Sequence, residues 1–250
     1  MMKIETIRFP GGRLAEAVHV PQGAPASQIM ERMNVPRPRG LICLNGGTAK
    51  LDEELAGRLQ SLIVEGLARL AVEESVTVLT GGTDAGIFSL FGEGIGKWGN
   101  PPAPVVGVVP ETLVKWPGGG GGDTDLEPHH THFVLVEGAE WGDETATMYE
   151  LCAAWSRACP SIAVFAGGGQ ITLHEMLANV RQGRKMILLA GSGRSTDAVL
   201  DARAGHGSPD PRVQEIAASV GIVPFDLRAE PQSLTSLIRK FLIDPQASSL

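Results

Sequence analysis

Cysteine is scarce in this chain. Cys43, Cys152 and Cys159 form an odd set with no CxxC spacing, which fits a reducing compartment rather than a disulfide framework. Cys152 and Cys159, seven apart on a predicted helix, stand about 10 Å apart along its axis, too far for a bridge. Small apolar packing residues are the expected role of all three. Basic charge is also short. The 21 lysines and arginines are outnumbered by 28 acidic residues, giving a formal charge of −7, which argues against a general affinity for nucleic acid or for an acidic membrane. No apolar run approaches 18 residues, so no membrane span is expected. Met1 to Phe9 is too short and too polar for a signal peptide, which leaves the cytoplasm as the expected compartment. GxxxxGK[ST] is absent, and the Gly46-Gly47 pair lacks the spacing of GxGxxG. A Walker-type ATPase is thereby excluded, and no cofactor is expected.

Glycine, in contrast, is abundant at 32 residues, and it clusters at the ends of apolar runs. Ile42-Cys43-Leu44 leads into Asn45-Gly46-Gly47-Thr48. Val76 to Leu79 leads into Thr80-Gly81-Gly82-Thr83-Asp84-Ala85-Gly86. Ile162 to Phe165 leads into Gly167-Gly168-Gly169-Gln170, and Met186 to Leu189 into Gly191-Ser192-Gly193-Arg194. A helical pattern follows each. Strand, glycine turn and helix start form the unit that receives phosphates, because the backbone can approach the ligand and the helix N-terminus offers unpaired N–H groups. Four such units predict one ligand cleft along one edge of a sheet.

The remaining pattern supports that architecture. Strands are predicted at 39–44, 76–79, 105–109, 133–136, 162–165, 186–189 and 222–225, alternating with helices. Continuous apolar strands alternating with helices mean an α/β, Rossmann-like, doubly wound and mostly parallel sheet of about seven strands, with helices on both faces. Ligands of such sheets sit outside the carboxyl ends of the strands. Residues 1–38 read as a small N-terminal extension with a hairpin and a short helix at 27–33, ahead of one domain over 39–250. Residues 51–70 carry apolar positions on more than one helical face, which can feed a homo-oligomer interface. Residues 115–132, with five consecutive glycines at 118–122, read as a mobile surface loop, either a lid or a plain connector.

Several side chains are candidates for the chemistry. The amides of Gly81 to Asp84 and of Gly191 to Ser195 can donate to phosphate oxygens, and Thr83, Thr172 and Ser192 can add hydroxyl donors. Arg194 can make a bidentate phosphate contact or lie on the surface. Asp84 is either a ligand contact or a helix N-cap. Glu175, one turn into its helix, is either an acid–base group facing the cleft or a carboxylate at a helix N-terminus. Glu137 ends a strand and can accept from ribose hydroxyls or stay exposed. His129, His130 and His132 lack the partners of a zinc set, so no metal is expected. Trp98 and Trp116 are placed to stack on a base or to pack.

TGGTDAG after a strand, EPHHTHFVLVEG, FAGGGQITLHE and LLAGSGRSTD, in that order over roughly 39–202, resemble the SLOG superfamily. The nearest resemblance is to its LSDAT branch, the N-terminal ligand-sensing region of melastatin-type TRP channels and free-standing prokaryotic relatives. The resemblance implies a Rossmann-like domain binding a nucleotide-derived ligand such as ADP-ribose or a nucleoside phosphate. On that basis the implied ligand-binding set is Gly46, Gly47, Thr48, Gly81, Gly82, Thr83, Asp84, Gly86, Glu137, Gly167, Gly168, Gly169, Gln170, Thr172, Gly191, Ser192, Gly193 and Arg194. A second branch, the LOG-type phosphoribohydrolases, carries PGGxGTxxE. The run 168–175 keeps Thr172 and Glu175, has Ile171 at the second-half glycine, and lacks the leading proline. No counterpart of that branch's catalytic arginine is found. Binding without chemistry is therefore the expected function, and N-glycosidic cleavage through Glu175 the alternative.

Overall fold

The central parallel strands are mostly apolar because both of their faces are covered. The computed structural model describes residues 2–47, 53–99 and 103–243. A hairpin of β1 (Lys3–Arg8) and β2 (Leu14–Val20) comes first, then α1 (Ala26–Met33) and β3 (Leu41–Gly46). α2 (Glu53–Gln60) continues through a π-helical stretch, Ser61–Ala68, into α3 (Arg69–Glu73). β4 (Thr77–Thr80), α4 (Gly86–Trp98) and β5 (Val105–Pro110) follow. Three short strands come next, β6 (Val114–Trp116), β7 (Gly119–Gly120) and β8 (Thr124–Asp125), before β9 (His132–Val136) and α5 (Thr145–Ser156). The chain ends with β10 (Ser161–Ala166), α6 (Gln170–Arg181), β11 (Lys185–Ala190), α7 (Arg194–Asp201), α8 (Pro211–Ala217), β12 (Ile222–Asp226) and α9 (Pro231–Leu242).

The main sheet is doubly wound, in the order β1-β2-β9-β5-β4-β3-β10-β11-β12, and only the β1–β2 pair is antiparallel. It holds nine strands rather than about seven, because β2 pairs in parallel with β9 and so carries the N-terminal hairpin into the sheet. Alternate residues of each strand feed two cores. Cys43, Leu79, Val106 and Phe165 pack with Ile29 of α1, Leu151 of α5 and Met176 of α6 on one face. Ile42, Leu44, Val78 and Val164 pack with Leu62, Leu67, Phe91 and Ile238 on the other. Each fully buried side chain of this kind contributes roughly 1.5–3 kcal/mol. The second apolar face expected at 51–70 is spent within the chain, since Leu59, Ile63, Leu67 and Leu70 are buried in the core that includes α4 and α9; Leu51 lies outside the described residues.

Two expectations are corrected here. Residues 115–132 form structure: Lys115 pairs with Gly120, Val114 pairs with Thr124, and Val114, Leu126 and Trp116 anchor this small sheet on a third core with Ile7, Phe133 and Leu135. A glycine run hides such pairing because the ladder is all backbone. Cys43 of β3 and Cys152 of α5, 109 residues apart and both fully buried, are joined as a disulfide, while Cys159 remains a free thiol. Sequence spacing exposed only the local pair.

Candidate functional site

β3 and β10 are neighbours in the sheet, but the chain leaves them in opposite directions across it, so a crevice opens at their carboxyl ends. Three of the four glycine turns border it. Gly47 N–H donates to Ala166 O at 3.1 Å, and Gly167 N–H donates to Ser192 Oγ at 2.8 Å. Ser195 Oγ donates to Gly169 O at 3.0 Å and Thr196 Oγ1 to Gly167 O at 2.8 Å, so the turns after β10 and β11 are laced together. Gly168 sits at φ +88°, where a side chain is strained, and any Cβ there would run into Thr172. Beyond it the N–H groups of Gly168, Gly169 and Gln170 have no protein partner among the described residues. They lie at the start of α6, where backbone donors are unpaired by construction.

The other amides are less open. Asp197 accepts from Gly191 N–H (2.9 Å) and Gly193 N–H (2.8 Å), so an anion at that turn has to compete with a carboxylate already there. Arg194 is exposed at φ +54°, with no side-chain partner among the described residues. On the α2 flank of the same turn lies a cavity of about 720 Å3, lined by Glu54, Arg58, Gly191, Gly193, Asp226 and Arg228. The Gln170 side chain turns aside and accepts from Arg212 Nη2 at 2.5 Å.

After β4, the turn 81–86 is pinned beneath the β8 segment. Gly82 N–H donates to Thr80 Oγ1, Asp84 N–H donates to Asp125 O, and Gly82 O accepts from Glu127 N–H. Thr83 is 3% exposed, and its hydroxyl has no partner among the described residues. Ala85 takes the N-cap position of α4, with Gly86 following it, while the exposed Asp84 accepts from Ser89 Oγ at 2.6 Å. Glu137 is exposed at the end of β9, three strands and about 14 Å from β3. Thr48 lies outside the described residues.

Below the crevice is a buried polar group of residues that spacing alone did not assemble. Tyr149 O–H donates to Asn45 Oδ1 (3.2 Å) and accepts from Asn179 Nδ2 (2.9 Å); Asn179 Oδ1 accepts from Arg184 Nη1 (2.8 Å). Glu175 joins it from α6, 9% exposed and without a hydrogen-bond partner for its carboxyl among the described residues. Burial, reinforced by the nearby Glu144 carboxylate, raises Glu175 to about 8. Burial likewise raises Glu144, although its carboxylate accepts from Gly142 N–H at 2.8 Å. Gly142 packs on Ile171, in the first turn of α6, and the neighbouring Trp141 is 45% exposed. Glu144 and Trp141 carried no motif; a tryptophan followed directly by glycine was the only available signal.

Two members of the histidine run converge on one buried carboxylate. Glu127, 2% exposed, accepts from His129 Nδ1 (2.6 Å), His130 Nδ1 (2.7 Å) and His129 N–H (2.8 Å). His130 Nε2 meets Thr80 Oγ1 at 2.6 Å. Burial alone would raise the Glu127 carboxyl, but the two imidazoles outweigh it and hold it at about 2. Gly92 and Gly96 of α4 make room, since Cβ atoms there would strike Glu127 and His129.

Comparison with known proteins gives a consistent picture. The family described as SLOG in TRPM, prokaryote, matches residues 39–236. Transient receptor potential cation channel subfamily M member 2 of Mus musculus is 25% identical over 228 residues, 75% of this chain and 15% of that protein. The Rattus norvegicus protein of the same name is 26% identical over 204 residues, 67% of this chain and 13% of its own length. The chain thus spans about one seventh of the length of these relatives. Among solved structures, TM1055, a structural-genomics target, superposes with a TM-score of 0.51 at 18% identity, covering 80% of this chain and 99% of that one, a likeness of fold.

Proposed function

The chain belongs to the SLOG in TRPM, prokaryote, family, and from that membership we propose that it binds a nucleotide-derived ligand, an ADP-ribose-like molecule or a nucleoside phosphate, in the crevice between β3 and β10. The observation that carries the reading is the free start of α6: three successive N–H groups beside a glycine whose φ and surroundings exclude a side chain. Backbone donors with the helix dipole behind them suit a phosphate. Arg194 supplies charge at the rim, and Trp141 an aromatic face for a base. Calorimetry against ADP-ribose, AMP and NAD tests the reading. Binding of at least one of them, weakened tenfold or more by Gly168→Ala in a variant that still melts cooperatively, is expected. Absence of heat with all three, or unchanged affinity in Gly168→Ala, refutes it.

A second reading has one observation in its favour. A carboxyl held protonated near neutral pH is poised to donate a proton to a departing base, and Glu175 is such a group. In that reading the wild type releases free base from a nucleoside monophosphate, and Glu175→Gln loses that release while keeping ligand affinity. No release from AMP, GMP or CMP by the wild type removes the reading and leaves binding untouched.

A further inference from the structure

Toward the β1 edge of the sheet, five places from β3 in the strand order, a groove of about 440 Å3 lies between β1 and the glycine ribbon at 118–121, lined by Lys3, Glu5, His19, Glu111 and Trp116 among others. We propose that this groove docks an extended, lysine- or arginine-bearing segment of a partner protein. The proposal stands independently of the nucleotide reading, because the groove shares no residue with the β3–β10 crevice.

Charge and shape both support that occupant. His19 Nδ1 lies 2.9 Å from Glu111 and its Nε2 3.5 Å from Glu5, so the imidazole is clamped between two carboxylates on the floor. Lys3, the lysine among the lining residues, is already paired with Glu5 at 2.7 Å. Thr112 lines this groove and also an adjoining hollow of about 560 Å3 that adds Glu137 and Asp143. Its hydroxyl donates to Gly138 O and ties the two walls together. Asp143 is taken up by the N–H groups of Ala139 and Glu140, so Glu5, Glu111 and Glu137, set against Lys3 alone, give the two adjoining hollows a net negative lining beside an indole ring, which suits ammonium or guanidinium groups and repels phosphates.

The backbone supplies the second line of argument. β1 is an edge strand of the nine-stranded sheet, and β7 an edge strand of the three-stranded one. Lys3 and Glu5 line the groove from the same face of the hairpin as His19, and the glycine ribbon of β7 lines it with backbone. The outward peptide groups of an edge strand have no ladder partner, which is the feature used by strand-addition recognition. A glycine ribbon carries no side chains to shield its edge. At Gly119 the ring of Trp116 occupies the place of a Cβ at 2.5 Å, so the ribbon stays bare.

The test uses the full chain and a fluorescein-labelled (Lys-Val)4 peptide, followed by fluorescence anisotropy, with (Glu-Val)4 as control. Saturable binding of the lysine peptide alone is expected, falling as salt rises. A double variant, Glu111→Gln with Glu137→Gln, should weaken it at least tenfold while melting within about a degree of the wild type. Gly168→Ala should leave it unchanged. Hydrogen exchange should show slowed amides in 3–8 or 118–122 when the peptide is bound, which a diffuse charge attraction would not produce. Equal binding of the two peptides, equal binding by the double variant, or no protection in either segment overturns the proposal.

Discussion

Glu175→Gln should make the protein more stable, by an amount that depends on pH. In the folded chain, burial and then the Glu144 carboxylate raise the Glu175 carboxyl from 4.5 to about 8. An unfolded chain releases that proton near pH 4.5. Between those values the folded state holds one proton more than the unfolded state, so stability falls as pH rises, by about 1.4 kcal/mol per pH unit. Across the window from pH 4.5 to about 8 the accumulated cost is roughly 5 kcal/mol, a large part of the 5–15 kcal/mol available to an ordinary domain. Glutamine cannot ionise and escapes it. Its amide brings its own packing and hydrogen-bond cost, but that cost does not vary with pH. Urea denaturation of wild type and variant at pH 5, 6, 7 and 8 measures the difference directly. The variant's advantage should be near its minimum at pH 5 and grow by roughly 1 kcal/mol or more per unit above it. A difference that stays flat from pH 5 to 8 would show that the carboxyl titrates normally, and the case for a protonated acid at the crevice would fail with it.

Two further outcomes follow from the buried polar networks. Tyr149→Phe removes the hydroxyl shared by Asn45 and Asn179 and should cost about 1–3 kcal/mol in urea denaturation, and under the proposed binding it should also weaken calorimetric affinity for the nucleotide probe as the Asn45-Gly46-Gly47 turn loosens. Glu127 titrates at about 2 in the folded state against 4.5 when free, so its contribution is fully present above pH 4.5 and is lost as pH falls toward 2. Glu127→Gln should therefore lower the melting temperature at pH 7 and narrow the gap to wild type at pH 3; an equal gap at both values contradicts the assignment.

The elements that could be read from residues were those whose signal is local. β3, β4, β10 and β11 are mainly apolar runs that lead into a glycine turn and β5 is a charge-free, β-branched run, and the structure places all five within two residues of the expected bounds. What escaped depended on distance along the chain. Asn45 and Tyr149 are 104 residues apart, and no periodicity connects them. β7 is a strand made of two glycines, invisible to any propensity, and the anchoring of its surroundings by Val114, Trp116 and Leu126 shows only in the folded chain. At the crevice, spacing revealed which turns carry glycine. It did not reveal that Asp197 fills the amides after β11 while those before α6 stay free, because that is settled by one side chain's rotamer and not by composition.

The register of β3 against β10 pairs Leu41 with Ser161, about 120 positions further on. Until that late strand arrives, β3 has a bare flank, and the β3–β10 crevice does not yet exist in any partial form. Assembly of the cleft is therefore a late event in synthesis, and such distant pairing is slow to find. A nascent chain halted before β10 would present an open hydrophobic edge to its surroundings, so closure of the β3–β10 crevice doubles as a report that the two wings of the sheet have met.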